Sequence, residues 1–284
     1  MPPSPRTKHR AKPSAPLAPG TCLLPGYEVV AHLHRGAAFD TYDVWSEARA
    51  CRCVAKVLRP DHLDDAHARR HLQREGRLLQ GLSHRHIVRA YEYLVEPTAI
   101  IMETLTGATL AYLLEDSRKG LPIRDVAHLG LQLCSAMHYL HGEGFLHLDL
   151  KPGNIMCQSD VVKVFDLSIA RPPGRGRKGA GTREYMAPEQ ARGGILTAAT
   201  DVWGIGVVLH ESVTGRPVFE RLPSGYDQLQ RRAEPIMVPS LPAPFAHSIN
   251  RCLEPEPKKR PTIAELSETI AGIVGSPKSA TFPE

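Results

Sequence analysis

Between residues 27 and 103 the apolar positions alternate in short runs broken by turn residues. Stretches 27–33, 40–44 and 51–58 predict three strands, with Gly36 in the turn between the first two. From 64 to 82 the period changes, and Leu72, Leu79 and Leu82 fall on one stripe of a predicted helix. Two more strand-like runs, 86–94 and 99–103, complete a section that is mainly β with one long helix and ends near Thr106-Gly107. From Leu110 onward the spacing becomes helical. Val126, Leu129, Leu133, Met137 and Leu140 predict a helix over 126–140, and others are predicted over 200–213, 246–253 and 263–274. Two short β-like pieces, 155–156 and 161–165, precede a loop at 171–183 dense in glycine, proline and arginine. No internal repeat interrupts this order. The pattern predicts an α+β chain with a small β-rich section followed by a larger α-rich one.

Composition narrows the class. With 284 residues, 42% apolar and 23% charged, the chain has the balance of a soluble globular protein, as one large domain or as two lobes sharing a cleft. The longest apolar run, 202–209, spans eight residues, far short of the roughly 18 a membrane span needs. The N-terminus lacks the apolar core of a secretory signal. Six cysteines are scattered, with only Cys51 and Cys53 close together, so neither a zinc site nor a disulfide framework is expected. A cytoplasmic location follows from these features. The net charge of +5 is mostly local: residues 1–26 hold Arg6, Lys8, Arg10 and Lys12 and no acid, leaving +1 for the rest. No nucleic-acid face is therefore expected on the folded part. Seven prolines in that leader predict disorder over 1–26.

Candidate chemistry concentrates in His147-Leu148-Asp149-Leu150-Lys151-Pro152-Gly153-Asn154. A carboxylate, an ammonium and an amide lie within six residues, where proline and glycine oppose a helix. Asp166 follows 17 residues after Asp149, closing the apolar run 161–165. An aspartate there, beside a second polar cluster, points to a divalent-cation site of oxygen ligands, against the plainer reading of two polar turns flanking a strand. Earlier in the chain, Lys56 stands in the apolar run 53–58, where a charge needs a partner. Glu75 shares the stripe of Leu72 and Leu79, so its carboxylate faces inward and requires a cation. The plainer reading there is a snorkelling lysine and a tolerated glutamate.

These stretches resemble the eukaryotic-type Ser/Thr protein kinases, most of all their bacterial branch. Residues 147–154 are similar to the catalytic loop H-R-D-x-K-P-x-x-N. Asp166-Leu167-Ser168 stands where that family has Asp-Phe-Gly, and Ala187-Pro188-Glu189 matches its Ala-Pro-Glu. Gly181-Thr182, Asp201-Val202-Trp203-Gly204 and Arg260-Pro261-Thr262 match further landmarks in order. The resemblance covers roughly residues 27–272 and implies a two-lobed fold, with lobes at 27–105 and 106–272 and a short tail at 273–284. It also implies ATP and Mg²⁺, with Mn²⁺ as a substitute, and protein substrates with Ser or Thr acceptors. By the same resemblance Asp149 takes the proton of the attacking hydroxyl and Lys151 neutralises charge on the moving phosphoryl group. Asn154 and Asp166 hold the metal, and Lys56, oriented by Glu75, grips the α- and β-phosphates. Leu33, Gly36, Thr41, Val54, Met102, Glu103, Leu105 and Met156 line the nucleotide, with Met102 at its back and the backbone of Glu103 and Leu105 on the adenine edge. Thr182 shapes the Ser/Thr substrate platform. Glu189 and Arg260 resemble a buried structural pair.

Three departures stand out. In Leu33-His34-Arg35-Gly36-Ala37-Ala38-Phe39-Asp40-Thr41-Tyr42 only the middle glycine of the family's phosphate-covering loop survives. His34 and Phe39 replace the outer two, Thr41 replaces the usual Val and Val54 the usual Ala, which predicts a tighter roof with weaker ATP binding or slower turnover. Leu148 replaces an arginine that commonly pairs with a phosphate, and residues 170–180 contain no Ser, Thr or Tyr. Switching by loop phosphorylation is therefore not expected. Lastly, Arg171, Arg175, Arg177, Lys178 and Arg183 run without an acid between them, either as a solvated basic loop or as an attractor for acidic substrates or an anionic regulator. The rival functions are a nucleotide-binding pseudokinase acting as a scaffold and a small-molecule phosphotransferase, the latter disfavoured by the Gly181–Glu189 segment.

Overall fold

A computed structural model describes residues 15–117 and 119–275. The described chain divides into two compact units, one formed by residues up to 81 with 89–104, the other by 82–88 with 105 onward.

The first unit is an antiparallel sheet in the order β1-β2-β3-β4-β6-β5 with one helix. Its strands are β1 (Cys22–Leu24), β2 (Tyr27–Arg35), β3 (Phe39–Ser46), β4 (Cys51–Leu58), β5 (Ala90–Leu94) and β6 (Ala99–Glu103), and its helix is α1 (Ala66–Gly81). Strand alternation sorts β4 cleanly. Cys53, Ala55 and Val57 enter a buried cluster with Tyr27, Tyr42, Val44 and Ile101, while Val54 and Lys56 face the other way. Leu72, Glu75 and Leu79 are the buried stripe of α1, which packs on β4, β5 and β6. Gly76 permits that approach, because a Cβ there would run into the Tyr93 ring.

Two expectations for this unit are corrected. Disorder over 1–26 does not hold for its later part: Cys22–Leu24 pairs with β2, Leu24 is buried, and Leu17 and Leu23 pack against the core cluster. Those three leucines supply the apolar surface that the prolines hid from a compositional reading. The earlier part, 1–14, lies outside the described residues. The predicted strand 86–94 is also split. Only Ala90–Leu94 joins this sheet, whereas Ile87 bridges Val164 of the second unit and Val88 N donates to Val164 O at 2.9 Å.

The second unit is mainly helical. In chain order it contains β7 (Ala108–Thr109), α2 (Leu110–Glu115), α3 (Ile123–Gly142), β8 (Ile155–Gln158), β9 (Val161–Val164), β10 (Gly174–Arg175), α4 (Pro188–Arg192), β11 (Ile195–Leu196), α5 (Ala198–Thr214), α6 (Ala243–Cys252) and α7 (Ile263–Val274). Helix α5 is buried on nearly every side, with α3 and α6 packed on it and α7 on α3. Capping boxes at Thr197/Thr200 and Thr262/Glu265 satisfy the first turns of α5 and α7. Strands β7, β8 and β9 form one small antiparallel sheet. The predicted loop 171–183 contains β10, which pairs with β11. Among the described residues no helix is long and apolar enough to cross a membrane.

Candidate active site

In the second unit the backbone of residues 147–154 is fixed first. Leu148 has φ +68°, a left-handed conformation costly for a branched side chain. Asp201, fully buried, holds it there: Oδ2 accepts from His147 N at 2.9 Å and Oδ1 from Leu148 N at 2.8 Å. His141 Nε2 lies 2.8 Å from the same Oδ2. From the other side Gln190 Nε2 donates to Leu148 O at 2.7 Å and to Ala180 O at 2.6 Å, tying this loop to the segment that leads to Thr182.

That frame presents a compact polar cluster. Thr182 N and Thr182 Oγ1 donate to Asp149 Oδ1 at 2.8 and 2.7 Å. Lys151 Nζ donates to Thr182 Oγ1 at 2.7 Å and lies 3.0 Å from Asp149 Oδ2. Asn154 Nδ2 donates to Asp149 O at 2.9 Å and to Oδ2 at 3.1 Å. Three of the sequence-predicted residues thus meet around the carboxylate of a fourth, Asp149.

Asp166 stands beside them through the backbone. β8 and β9 form a hairpin in which Ile155 pairs with Val164, and Phe165 N donates to Asn154 O at 3.0 Å. Asn154 and Asp166 therefore leave the same end of one hairpin, and Asp166 turns at φ +64°. With its NH₂ spent on Asp149, Asn154 presents Oδ1 as its remaining polar atom. An amide oxygen and a carboxylate are hard donors of the kind a divalent cation shared with phosphates takes from a protein, so the pair fits such an ion.

The first unit carries a second cluster. Lys56 Nζ, mostly buried, lies 2.9 and 2.8 Å from the two carboxylate oxygens of the buried Glu75. Thr41 is the cross-strand partner of Lys56, and Met102 that of Val54, so all four share one sheet face by register. Leu33 sits at a bulge of β2 and is 54% exposed. Glu103 ends β6, where its N–H donates to Arg89 O at 3.0 Å and its Oε1 accepts from Arg89 N at 2.8 Å. Leu105 and Met156 belong to the second unit, half-buried, with Met156 paired to Thr109 and Lys163.

The β2–β3 hairpin around Gly36 is built from side-chain locks. Arg35 Nε and Nη2 donate to the fully buried Asp40 at 2.8 and 2.7 Å, and His32 Nε2 is 3.2 Å from the same carboxylate. Burial works against the charge of Asp40, yet the Arg35 and His32 contacts outweigh it and hold its carboxyl below the ordinary range. At the tip, Gly36 N donates to Phe39 O at 2.8 Å. Arg59 then grips three successive carbonyls: its Nη1 donates to Gly36 O at 3.1 Å and Ala37 O at 3.2 Å, and its N–H to Ala38 O at 3.0 Å. Asp61 steadies that guanidinium with contacts of 3.0 and 2.7 Å. Phe39, at a lost glycine position, puts its ring 5.5 Å from Lys56 Nζ.

Several of these residues escaped the sequence reading. In the sequence Asp201 stands out only as a landmark, and Gln190, His141, Asp40, Arg59 and Asp61 carry no signal of their own. Gln228 belongs with them, since its Nε2 donates to Arg183 O at 2.8 Å and Met186 O at 2.7 Å and holds the backbone that follows Thr182. Burial is their common signal, and sequence alone does not display it. The pairing of Arg260 with Glu189 is bidentate, at 2.7 and 2.8 Å, and buried under the Trp203 ring.

Comparison with known proteins agrees with this geometry. The family model described as protein kinase domain matches residues 27–269. The serine/threonine-protein kinase PkaA of Streptomyces coelicolor is 34% identical over 228 residues, 76% of this chain and 42% of PkaA. PknA of Corynebacterium glutamicum is 31% identical over 77% of this chain and 50% of its own length. PknB of Mycobacterium leprae is 34% identical over 61% of this chain and 30% of its own. The match thus spans half or less of each of these relatives. Kinases of this family use ATP and a divalent metal. The chain belongs to the protein kinase domain family.

Proposed function

We propose that the protein transfers the γ-phosphoryl group of ATP to Ser or Thr hydroxyls of protein substrates, with Mg²⁺ as the divalent ion. The observation that carries this is the carboxylate of Asp149, gripped by Thr182, Lys151 and Asn154 within 3.1 Å. A hydroxyl presented to Asp149 gives up its proton as its oxygen bonds to phosphorus, and the bond from phosphorus to the ADP oxygen breaks. Lys151, already beside Asp149, offsets charge on the moving group. Thr182 belongs to the platform for the acceptor, as its hydroxyl and N–H both bond to the base. Asn154 and Asp166 would hold the ion, which supplies positive charge to the phosphates. Lys56, oriented by Glu75, would bind the α- and β-phosphates on the face shared with Thr41, Val54 and Met102. Glu103 has its N–H committed to Arg89, so its adenine contact would run through the carbonyl.

Leu148 favours activity without a loop phosphate. It packs in an apolar cluster with Leu146, Leu196 and Ile169 where an arginine would offer a charge. The test is transfer of labelled γ-phosphate from Mg·ATP to a generic Ser/Thr substrate, with Asp149→Asn in parallel. Transfer to Ser or Thr that vanishes in the variant supports the assignment. Thermal stabilisation by ATP without any transfer overturns it.

A further inference from the structure

Outside the catalytic cluster, the second unit contains a cavity of about 380 Å³. Lys178, Ala191, Arg192, Tyr226, Leu229 and Gln230 line it. Its walls come from three separate pieces of chain, and glycines let them meet. Gly193 caps α4 at φ +75°, and a Cβ there would press on the backbone of Lys178 at 3.1 Å. Gly179 carries no Cβ where one would strike the Tyr226 hydroxyl. The β10–β11 pairing and Gly176 N donating to Gly194 O at 2.8 Å hold the 174–178 strip against α4.

Some cations of this unit are neutralised by an acid and others are not. Arg221, Arg231, Arg232 and Lys259 each have an acidic partner within 4 Å. Among the described residues Arg175, Arg177, Lys178 and Arg192 have none, and no acid lines the cavity. The anion that matches them is not a phosphate on their own strip, because residues 170–180 contain no hydroxyl side chain. The strip also leads directly to the acceptor platform. Lys178 is four residues from Thr182, at most about 14 Å of extended chain, and Gln228, next to the lining Leu229, bonds to the platform backbone.

We propose that this cavity is a docking site for an acidic, Asp- or Glu-rich segment of the protein substrate, with Lys178 and Arg192 as its cationic rim. The proposal rests on the kinase reading above and names the substrate class for it. An acidic side chain entering the cavity meets two cations unneutralised by the protein and an apolar floor from Ala191 and Leu229, while the Tyr226 hydroxyl and Gln230 amide are polar partners for its carboxylate.

Two Ser-containing peptides test it, identical except that one carries a glutamate block and the other glutamines. The expected result is a kcat/KM ratio of about tenfold in favour of the acidic peptide, falling close to one in Lys178→Glu/Arg192→Glu. Equal use of both peptides by the unaltered protein, or a ratio that survives the double reversal, overturns the proposal. If neither peptide is phosphorylated, the kinase reading fails by itself, and the fluorescein-labelled glutamate peptide then decides docking without nucleotide. Saturable binding that weakens with salt and in Gln230→Glu supports the site. No binding overturns it, as does stronger competition by a single-stranded oligonucleotide than by unlabelled glutamate peptide. Unchanged circular dichroism of the variants ties any loss to charge, since these side chains are exposed.

Discussion

The candidate catalytic loop, residues 147–154, and the β2–β3 hairpin face the same physical demand and meet it differently. Each must hold a few backbone atoms in one conformation. Around residues 147–154 this is done by strain and its anchors: Leu148 adopts a positive φ, and the buried Asp201 and Gln190 bond to its N–H and carbonyl. Around residues 35–40 the outer glycines are absent, and two arginines do the holding, one on Asp40 and one on the carbonyls of residues 36–38. Backbone freedom has been exchanged for side-chain bonds. A loop held by glycine is adaptable, whereas one held by charged pairs has a single preferred shape, which side-chain substitution can release.

The comparison breaks most sharply at Asp149. Asp149→Asn is expected to lower kcat by about a thousandfold, in the range that proton transfer by a positioned side chain contributes. The amide keeps an oxygen for Thr182 but turns an NH₂ toward the Lys151 and Asn154 donors, so the melting temperature should fall by no more than about 4 °C. A larger fall would show the cluster to be structural first. Asp201→Asn acts one layer deeper. It turns one of the two oxygens that accept from the strained loop into an NH₂ facing a backbone N–H, so one bond is lost and the other loses its charge, at a cost of about 2 kcal/mol in a denaturant titration, and kcat should fall with it. Loss of stability with unchanged kcat would mean that the left-handed turn at Leu148 does not depend on this anchor.

In the hairpin the expected effects are smaller and fall on a different parameter. Arg59→Gln removes the side-chain grip on the Gly36 and Ala37 carbonyls but leaves its own N–H on Ala38. The KM for ATP should change by about threefold while kcat per bound substrate stays near its starting value. Arg59→Lys, which keeps a donor there, should restore part of the difference. An equal fall in kcat would place the hairpin's rigidity in the transition state rather than in nucleotide binding.

The same contrast explains what was legible. The polar groups of Asp149, Lys151 and Asn154 lie within six residues, beside a proline and a glycine that oppose an α-helix, so their order is itself the signal. Lys56 and Glu75 were legible for a related reason: each is a charge in an apolar pattern, and two such anomalies suggest each other. Asp40 and Arg59 are 19 residues apart and look like ordinary surface charges in a polar turn. Only burial makes Asp40 exceptional, and only the fold brings Arg59 back to the tip. The ordered stretch from Leu17 to Leu24 was masked similarly, since its prolines dominate composition while its leucines determine packing. The strand predicted over 86–94 ends early because periodicity cannot tell which sheet a strand joins, and residues 86–88 bond to β9 instead.

Acid should separate the hairpin from the second unit by the pH at which each loosens. Burial, with the neighbouring charges, lowers the pKa of His84 and His86 in the second unit, and the bond from His86 to Val162 O at 2.9 Å only partly offsets it. Between the lowered folded value and the ordinary value near about 6.5, the unfolded chain binds more protons than the folded one. Stability therefore rises with pH through that window and is lost as pH falls below about 6.5. Asp40 in the hairpin has its folded pKa depressed as well, but from the carboxylate range, so its contribution persists until pH falls below about 4. Urea midpoints from neutral pH to about pH 5 should accordingly decline in the unaltered protein and decline less in His86→Gln. Asp40→Asn should lower the midpoint across this range without changing its slope with pH. A slope that flattens in Asp40→Asn instead would assign the acid sensitivity to the hairpin network, where His32 contacts the same carboxylate, and not to the histidine pair.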